Sequence, residues 1–181
     1  DGMKLRTEEL GLKVKELYSI NSHIFENPPE VTFISYRIPR PDNTSSELRL
    51  FHVLKILLKN NAKINFLYCT EGWNDSKYIR SYKGNIHFTL LPMNLKAYVQ
   101  MVSDKASPYL WISELWRINY LQFITKLIGE PKIARSASSL IVDTVDFHYK
   151  EFYRKYELTG NSEDLKRAEE FLKNEKILYR Q

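Results

Sequence analysis

The segment VTFISYRI-PRPDNTSSE-LRLFHVLKILLKNNA-KINFLYCT, residues 31–70, decides the fold. Its first eight residues are mostly β-branched, aromatic or aliphatic, which predicts a buried strand. PRPDNTSSE is dense in Pro, Asp, Asn and Ser and reads as a loop. Residues 47–62 carry Leu50, Phe51, Leu54, Leu57 and Leu58, the spacing of one apolar helix face. KINFLYCT is a second strand. A strand, a helix and a strand in that order form a right-handed crossover between parallel neighbours.

The same alternation extends outward. A short helix over 74–84 ends at Gly84, a plausible residue just past a helix end. NIHFTLLP (85–92) is a third strand, 94–106 a helix opened by Asn94 as N-cap, and PYLWISEL (108–115) a fourth strand. Residues 116–129 form a helix closing at Gly129, SLIVDTVD (139–146) a fifth strand, and 162–181 a charged amphipathic helix. Continuously apolar strands indicate a sheet covered on both faces. The expected architecture is a three-layer, Rossmann-like α/β domain with a parallel sheet ordered 3-2-1-4-5. Residues 30–181 make up this domain. Residues 1–29, with helical spacing at Leu10, Val14, Leu17 and Tyr18 and a break at Asn27-Pro28-Pro29, read as an arm outside it. Asp1 stands where an initiating Met would, so the opening residues are either an added tag or the cut edge of a longer protein.

Composition narrows the function. The 181 residues are 43% hydrophobic and 13% aromatic, ample for a core. No run approaches the roughly 18 apolar residues of a membrane span, and DGMKLRTEEL has no signal-peptide core. One cysteine, Cys69, excludes a disulfide framework and a cysteine-based zinc knuckle and suits a cytoplasmic setting. The net charge of +5 is spread without a purely basic run, so nucleic acid is not an expected partner. A solvated basic surface, an anionic membrane surface met peripherally and salt-sensitively, or a phosphorylated substrate fits that charge. His23, His52 and His87 have no acidic or cysteine neighbours in a ligand pattern, so no metal site is expected. His52 reads as a core or rim histidine, Cys69 as a buried thiol. No G-x-S-x-G elbow is present.

In an open parallel sheet, ligands sit beyond the carboxyl ends of the strands where the strand order reverses. The loops to weigh are therefore 37–47, 114–117 and 146–150. The first has neither a glycine fingerprint nor a P-loop lysine, against a dinucleotide dehydrogenase or a P-loop NTPase. It holds Arg37, Arg40, Asp42 and Thr44-Ser45-Ser46 before a helix, with Ser45 or Ser46 as N-cap. An anion site and a simple capped turn both fit. In the last loop Asp146 precedes His148 by two residues and can orient it and tune it toward neutral pH, and a structural or solvated histidine fits the same spacing. Trp111, Trp116, Tyr120 and Phe123 read as packing a helix onto the sheet. Trp116, in the loop after strand four, is also a candidate for stacking on a sugar or base.

Three stretches resemble the N-terminal half of a GT-B glycosyltransferase of family 4, the group 1 type. They are FISYRIPRPDNTSSELRLFHVLKIL, YLWIS, and LIVDTVDFHYKEFYRKYELTGN with its following Glu- and Lys-rich helix. The resemblance covers residues 31–181. It implies the acceptor-side domain of a two-domain enzyme. The nucleotide-sugar donor would be held mainly by a C-terminal domain with a paired-glutamate motif, and the acceptor would be a glycan or lipid-linked. Such a hexosyltransferase needs no cofactor, and this chain alone would be inactive. The resemblance also implies that His148, with Asp146, acts near the reaction centre. His148 would point into the cleft beside loop 40–49. Arg40, Asp42, Ser45, Ser46 and Arg49 would line the opposite wall, and the helix N-terminus would face the donor diphosphate. Two positions depart from the family pattern: Ser46 stands where many members have glycine, and Lys150 follows His148 one residue earlier than the family's Arg. A non-catalytic α/β domain binding a membrane surface or a protein is the alternative.

Overall fold

The computed structural model describes residues 28–72, 75–105, 107–143 and 148–178. The arm expected over 1–29, apart from its last two residues, and Asp146 lie outside the described residues. The elements alternate as expected: β1 (Glu30–Ser35), α1 (Ser45–Lys59), β2 (Lys63–Tyr68), α2 (Asp75–Ile79), β3 (Ile86–Leu90), α3 (Leu95–Lys105), β4 (Tyr109–Ile112), α4 (Ile118–Ile128), α5 (Pro131–Ser136), β5 (Ser139–Val142), α6 (His148–Thr159) and α7 (Ser162–Leu178). The five strands form one sheet ordered β3-β2-β1-β4-β5. Every pair is parallel, with Phe33 opposite both Phe66 and Trp111.

Strand alternation sorts the core into two halves. Val31 and Phe33 turn to one face, where Leu50, Leu54 and Leu58 of α1 cover them together with Phe66 and Tyr82. Ile34 turns to the other, under Tyr98 and Val102 of α3, Leu121 and Ile124 of α4, Ile133 of α5 and Phe171 of α7. The crossovers before β3 thus lie on one face and those after it on the other. The winding reverses at β1 and β4, which opens a crevice at their carboxyl ends. No helix among the described residues is long and apolar enough to cross a membrane.

Several local expectations are corrected. Helix α1 begins at Ser45, but its N-cap is Thr44, whose hydroxyl accepts from the Glu47 amide, rather than Ser45 or Ser46. Thr44-Ser45-Ser46-Glu47 matches the T-x-x-E capping pattern, the signal for this choice. α2 stops at Ile79, and Gly84 serves the next turn with φ +124°. Asn94 does cap α3, accepting from the Ala97 amide. Two helices fall in stretches the sequence reading left unassigned. Pro131 at the first helical position marks α5, and Gly160 with φ +67° follows α6. Trp111 stacks on Phe33 beneath α1, not beneath α4. His52 is exposed on α1. The outer strands β3 and β5 are only partly buried, so coverage is complete only for the central strands.

Leu54 is fully buried while Ile56, two residues on, is 60% exposed. Leu54→Ala should therefore cost about 2–5 kcal/mol in urea unfolding. Ile56→Ala should stay within about 0.5 kcal/mol.

Candidate functional site at the sheet reversal

The carboxyl ends of β1 and β4 carry the densest polar cluster described. Its centre is Glu47, whose side chain is fully buried in the first turn of α1. Burying a carboxylate is costly unless it is paired and hydrogen-bonded. Glu47 is both. Oε1 accepts from Arg37 Nη2 at 2.5 Å and from Asn43 Nδ2 at 2.5 Å. Oε2 accepts from the Arg40 backbone amide at 2.8 Å, and Arg40 Nε lies 3.8 Å away. The loop after β1 therefore closes around an anion supplied by the chain itself. Of the groups that the sequence offered to an external anion, the Arg37 guanidinium and the Arg40 amide are directed onto Glu47.

Arg37 also reaches across to β4, its Nε 3.9 Å from Oε2 of Glu114. Glu114 follows β4 with φ +64°, a left-handed conformation that costs a non-glycine residue roughly 1–3 kcal/mol and that clusters at functional sites. Its side chain is 3% exposed and accepts from Trp116 Nε1 at 2.9 Å. Burial is the main cause that pushes the Glu114 carboxyl above the usual carboxylate range. The Trp116 hydrogen bond opposes the shift, and the neighbouring Glu47 and Asp143 reinforce it against Arg37.

Aromatic rings organise the outer layer. Tyr36 meets Trp116 edge-on at 5.8 Å and Tyr120 at 5.6 Å. The guanidinium carbons of Arg117 and Arg37 lie 4.2 Å and 5.4 Å from the Trp116 ring centroid. Arg117 also lies 5.1 Å from that of Tyr36. The half-buried indole of Trp116 is thus engaged by two cations.

The remaining expected residues are placed as follows. The Arg40 guanidinium runs past Gly72, where a Cβ would come within 3.1 Å of its Nη2. Asp42 turns outward to α2, accepting from the Tyr78 hydroxyl at 2.8 Å with Lys77 at 3.5 Å. The Tyr78 hydrogen bond is the leading cause that holds the Asp42 carboxyl below its ordinary value. Ser45 is exposed, and Ser46 Oγ lies 3.0 Å from Thr44 Oγ1. Arg49 pairs with Asp143 at the end of β5, joining α1 to the far side of the crevice.

His148 opens α6. Its amide donates to Glu175 Oε1 of α7 at 3.1 Å, and its ring lies 5.5 Å from Phe171. Burial pushes the Glu175 carboxyl upward, against the backbone amides it accepts. Cys69 is half-buried, its thiol donating to the Tyr36 carbonyl at 3.3 Å, and burial raises its pKa, in keeping with a packed thiol. The described residues hold no cluster of His, Cys, Asp or Glu suited to a metal.

Glu47, Glu114 and Arg117 are the principal site residues that sequence reasoning missed. T-x-x-E pointed to Glu47, whereas nothing in SELWR announces the left-handed turn at Glu114. Compared with known protein families and with curated proteins, the chain matches none.

The raised pKa of Glu114 fixes a sign for pH dependence. The folded chain holds this proton more tightly than the unfolded one. Its contribution to stability is full below the unfolded carboxylate value, about 4.3. It is lost as pH rises through the raised folded value. Glu114→Gln keeps an acceptor for Trp116 and removes the charge. The variant should melt above wild type at pH 7, with the gap closing toward pH 4. A pH-independent gap in Tm would show that burial of the charge is not the cause.

Proposed function

We propose that the chain is the acceptor-side domain of a GT-B glycosyltransferase, which moves a sugar from a nucleotide-sugar to a glycan or lipid-linked acceptor. The observation that carries this reading is the position of the Arg37–Glu47–Glu114 cluster. It stands at the carboxyl edge where the sheet reverses, where doubly wound domains bind ligands. The order of the stretches that resemble the family supports it as well. The strand, loop and helix of residues 33–57 supply Glu47, the strand YLWIS leads into Glu114, and the last stretch supplies His148.

In this reading Arg37 spans two carboxylates and fixes the crevice floor, so that Glu114 presents one polar group at a defined place. Positioning a group in advance removes reorganisation from the reaction step. His148, with Asp146 just before it, acts from the start of α6 through hydrogen bonding and local electrostatics, and no protein nucleophile is assigned. Arg40, Ser45, Ser46 and Arg49 form and brace the opposite wall, with Asp42 turned outward to α2. The donor is held mainly by a second domain. Peripheral attraction to anionic lipid would draw on the excess of basic residues.

The test begins with the whole gene, which in this reading encodes a second Rossmann-like half with paired glutamates. Its full product, offered a panel of nucleotide-sugars with glycan and lipid-linked acceptors, should release nucleoside diphosphate. The present chain should release none. His148→Ala in the full product should lower turnover about 10²-fold, the scale of a positioned polar group. Release by the isolated chain, or none from the full product with any donor, would overturn the reading.

A further inference from the structure

The arginines at the carboxyl edge of the sheet are not equivalent. Arg37 and Arg40 are committed to Glu47, with Arg37 also beside Glu114, and Arg49 is committed to Asp143. Arg117 forms no ion pair among the described residues, and its side chain is exposed. It is nevertheless held in place. Its guanidinium carbon lies 4.2 Å from the Trp116 ring centroid and 5.1 Å from that of Tyr36. Trp116 is itself fixed by its hydrogen bond to the buried, left-handed Glu114. A guanidinium resting on aromatic rings keeps its N–H edges available in its own plane, with much of its rotamer freedom already lost.

The location is electrostatically unfavourable for a cation left alone. Arg117 is the N-cap residue of α4 and makes no side-chain capping bond. Helix N-termini carry partial positive charge and favour anions, with Ser, Thr, Asp and Asn as the usual caps. A second guanidinium, Arg37, approaches the same indole. A cation kept at a helix N-terminus, at a crevice where ligands bind, departs from the local rule in the way functional sites do.

We propose that Arg117 is the recognition cation for a phosphoryl group, taken in bidentate fashion at the mouth of the β1/β4 crevice. A phosphate monoester fits better than a carboxylate, because its second charge meets the partial positive charge of the α4 N-terminus beside Arg117, while Arg37 is already offset by Glu47 and Glu114. That this phosphoryl group belongs to the acceptor rests on the transferase reading above. That the chain binds it does not. The phosphate can be carried by a soluble sugar phosphate or by a lipid headgroup.

The experiment uses the chain as it stands. Amide chemical shifts are followed during titration with glucose 1-phosphate, inorganic phosphate and acetate. Co-sedimentation is measured with vesicles containing phosphatidic acid. The phosphate probes should shift the amides of residues 114–120 and acetate should not. Arg117→Gln should weaken the binding at least about tenfold, the scale of a charge-assisted hydrogen bond. Arg154→Gln, on exposed α6, should leave it unchanged. Arg117-dependent binding of glucose 1-phosphate alone assigns a soluble ester, and Arg117-dependent vesicle binding assigns a headgroup. Equal affinity of wild type and Arg117→Gln, equal response to acetate, or no binding of any phosphate probe overturns the site. The two readings fail separately. An active full-length enzyme whose N-terminal half ignores phosphate defeats this site alone. Arg117-dependent binding in a full-length protein that turns over no nucleotide-sugar defeats the transferase reading alone.

Discussion

The arrangement at the sheet reversal depends on a buried carboxylate. Glu47 lies in the first turn of α1, fully shielded from water, and takes donors from Arg37, the Arg40 amide and Asn43. An acid beside a helix N-terminus is favoured by the helix dipole, and each donor that closes on it fixes one point of the loop after β1. Removing that acid would leave the partly buried Arg37 without its main counter-charge. Arg37 passes the constraint on to Glu114 and so ties the two strands on which the winding reverses. The crevice owes its shape to this internal ion network rather than to the glycines that shape a dinucleotide-binding loop.

The fold was legible because burial on both faces imposes β-branched and aromatic residues on the central strands. VTFIS and INFLY carry that pattern directly, and the strand order follows from alternation and handedness. The strand ends were less legible. Sequence reading extended β4 through Leu115 and β5 through Asp146, whereas pairing stops at Ile112 and Val142. Past β4 the turning residues Ser113, Glu114 and Leu115 are still buried, and periodicity alone does not register the change. α6 was missed for a related reason. HYKEFYRKYELT buries no residue fully and its apolar face is narrow, so its charged surface dominates the reading.

The site was legible in location and less so in membership. Fold logic pointed to the loops in which Arg37, Arg40, Arg49 and Trp116 make their ion pairs and ring contacts. Glu47 follows a run of hydroxyl residues and carries no local mark of burial, because its burial depends on Arg37 ten positions earlier folding back over it. Glu114 carries no local mark at all. Its left-handed backbone is accompanied by a hydrogen bond from Trp116 of the same loop and by the approach of Arg37 from the loop after β1, a partner that meets it only in three dimensions.

The C-terminal hairpin has its own hierarchy. α6 buries no side chain fully and packs chiefly on α7, while α7 is seated on α4 through Phe171 and Leu178. The amide that starts α6 is held by Glu175, again a residue of α7. α6 thus has little hold of its own on the sheet, and the hairpin is built to open as one cooperative unit below the energy of global unfolding. In amide hydrogen exchange, α6 would share the rate at which α7 leaves α4. His148 travels with it, so the seat of the following helix sets where that imidazole stands.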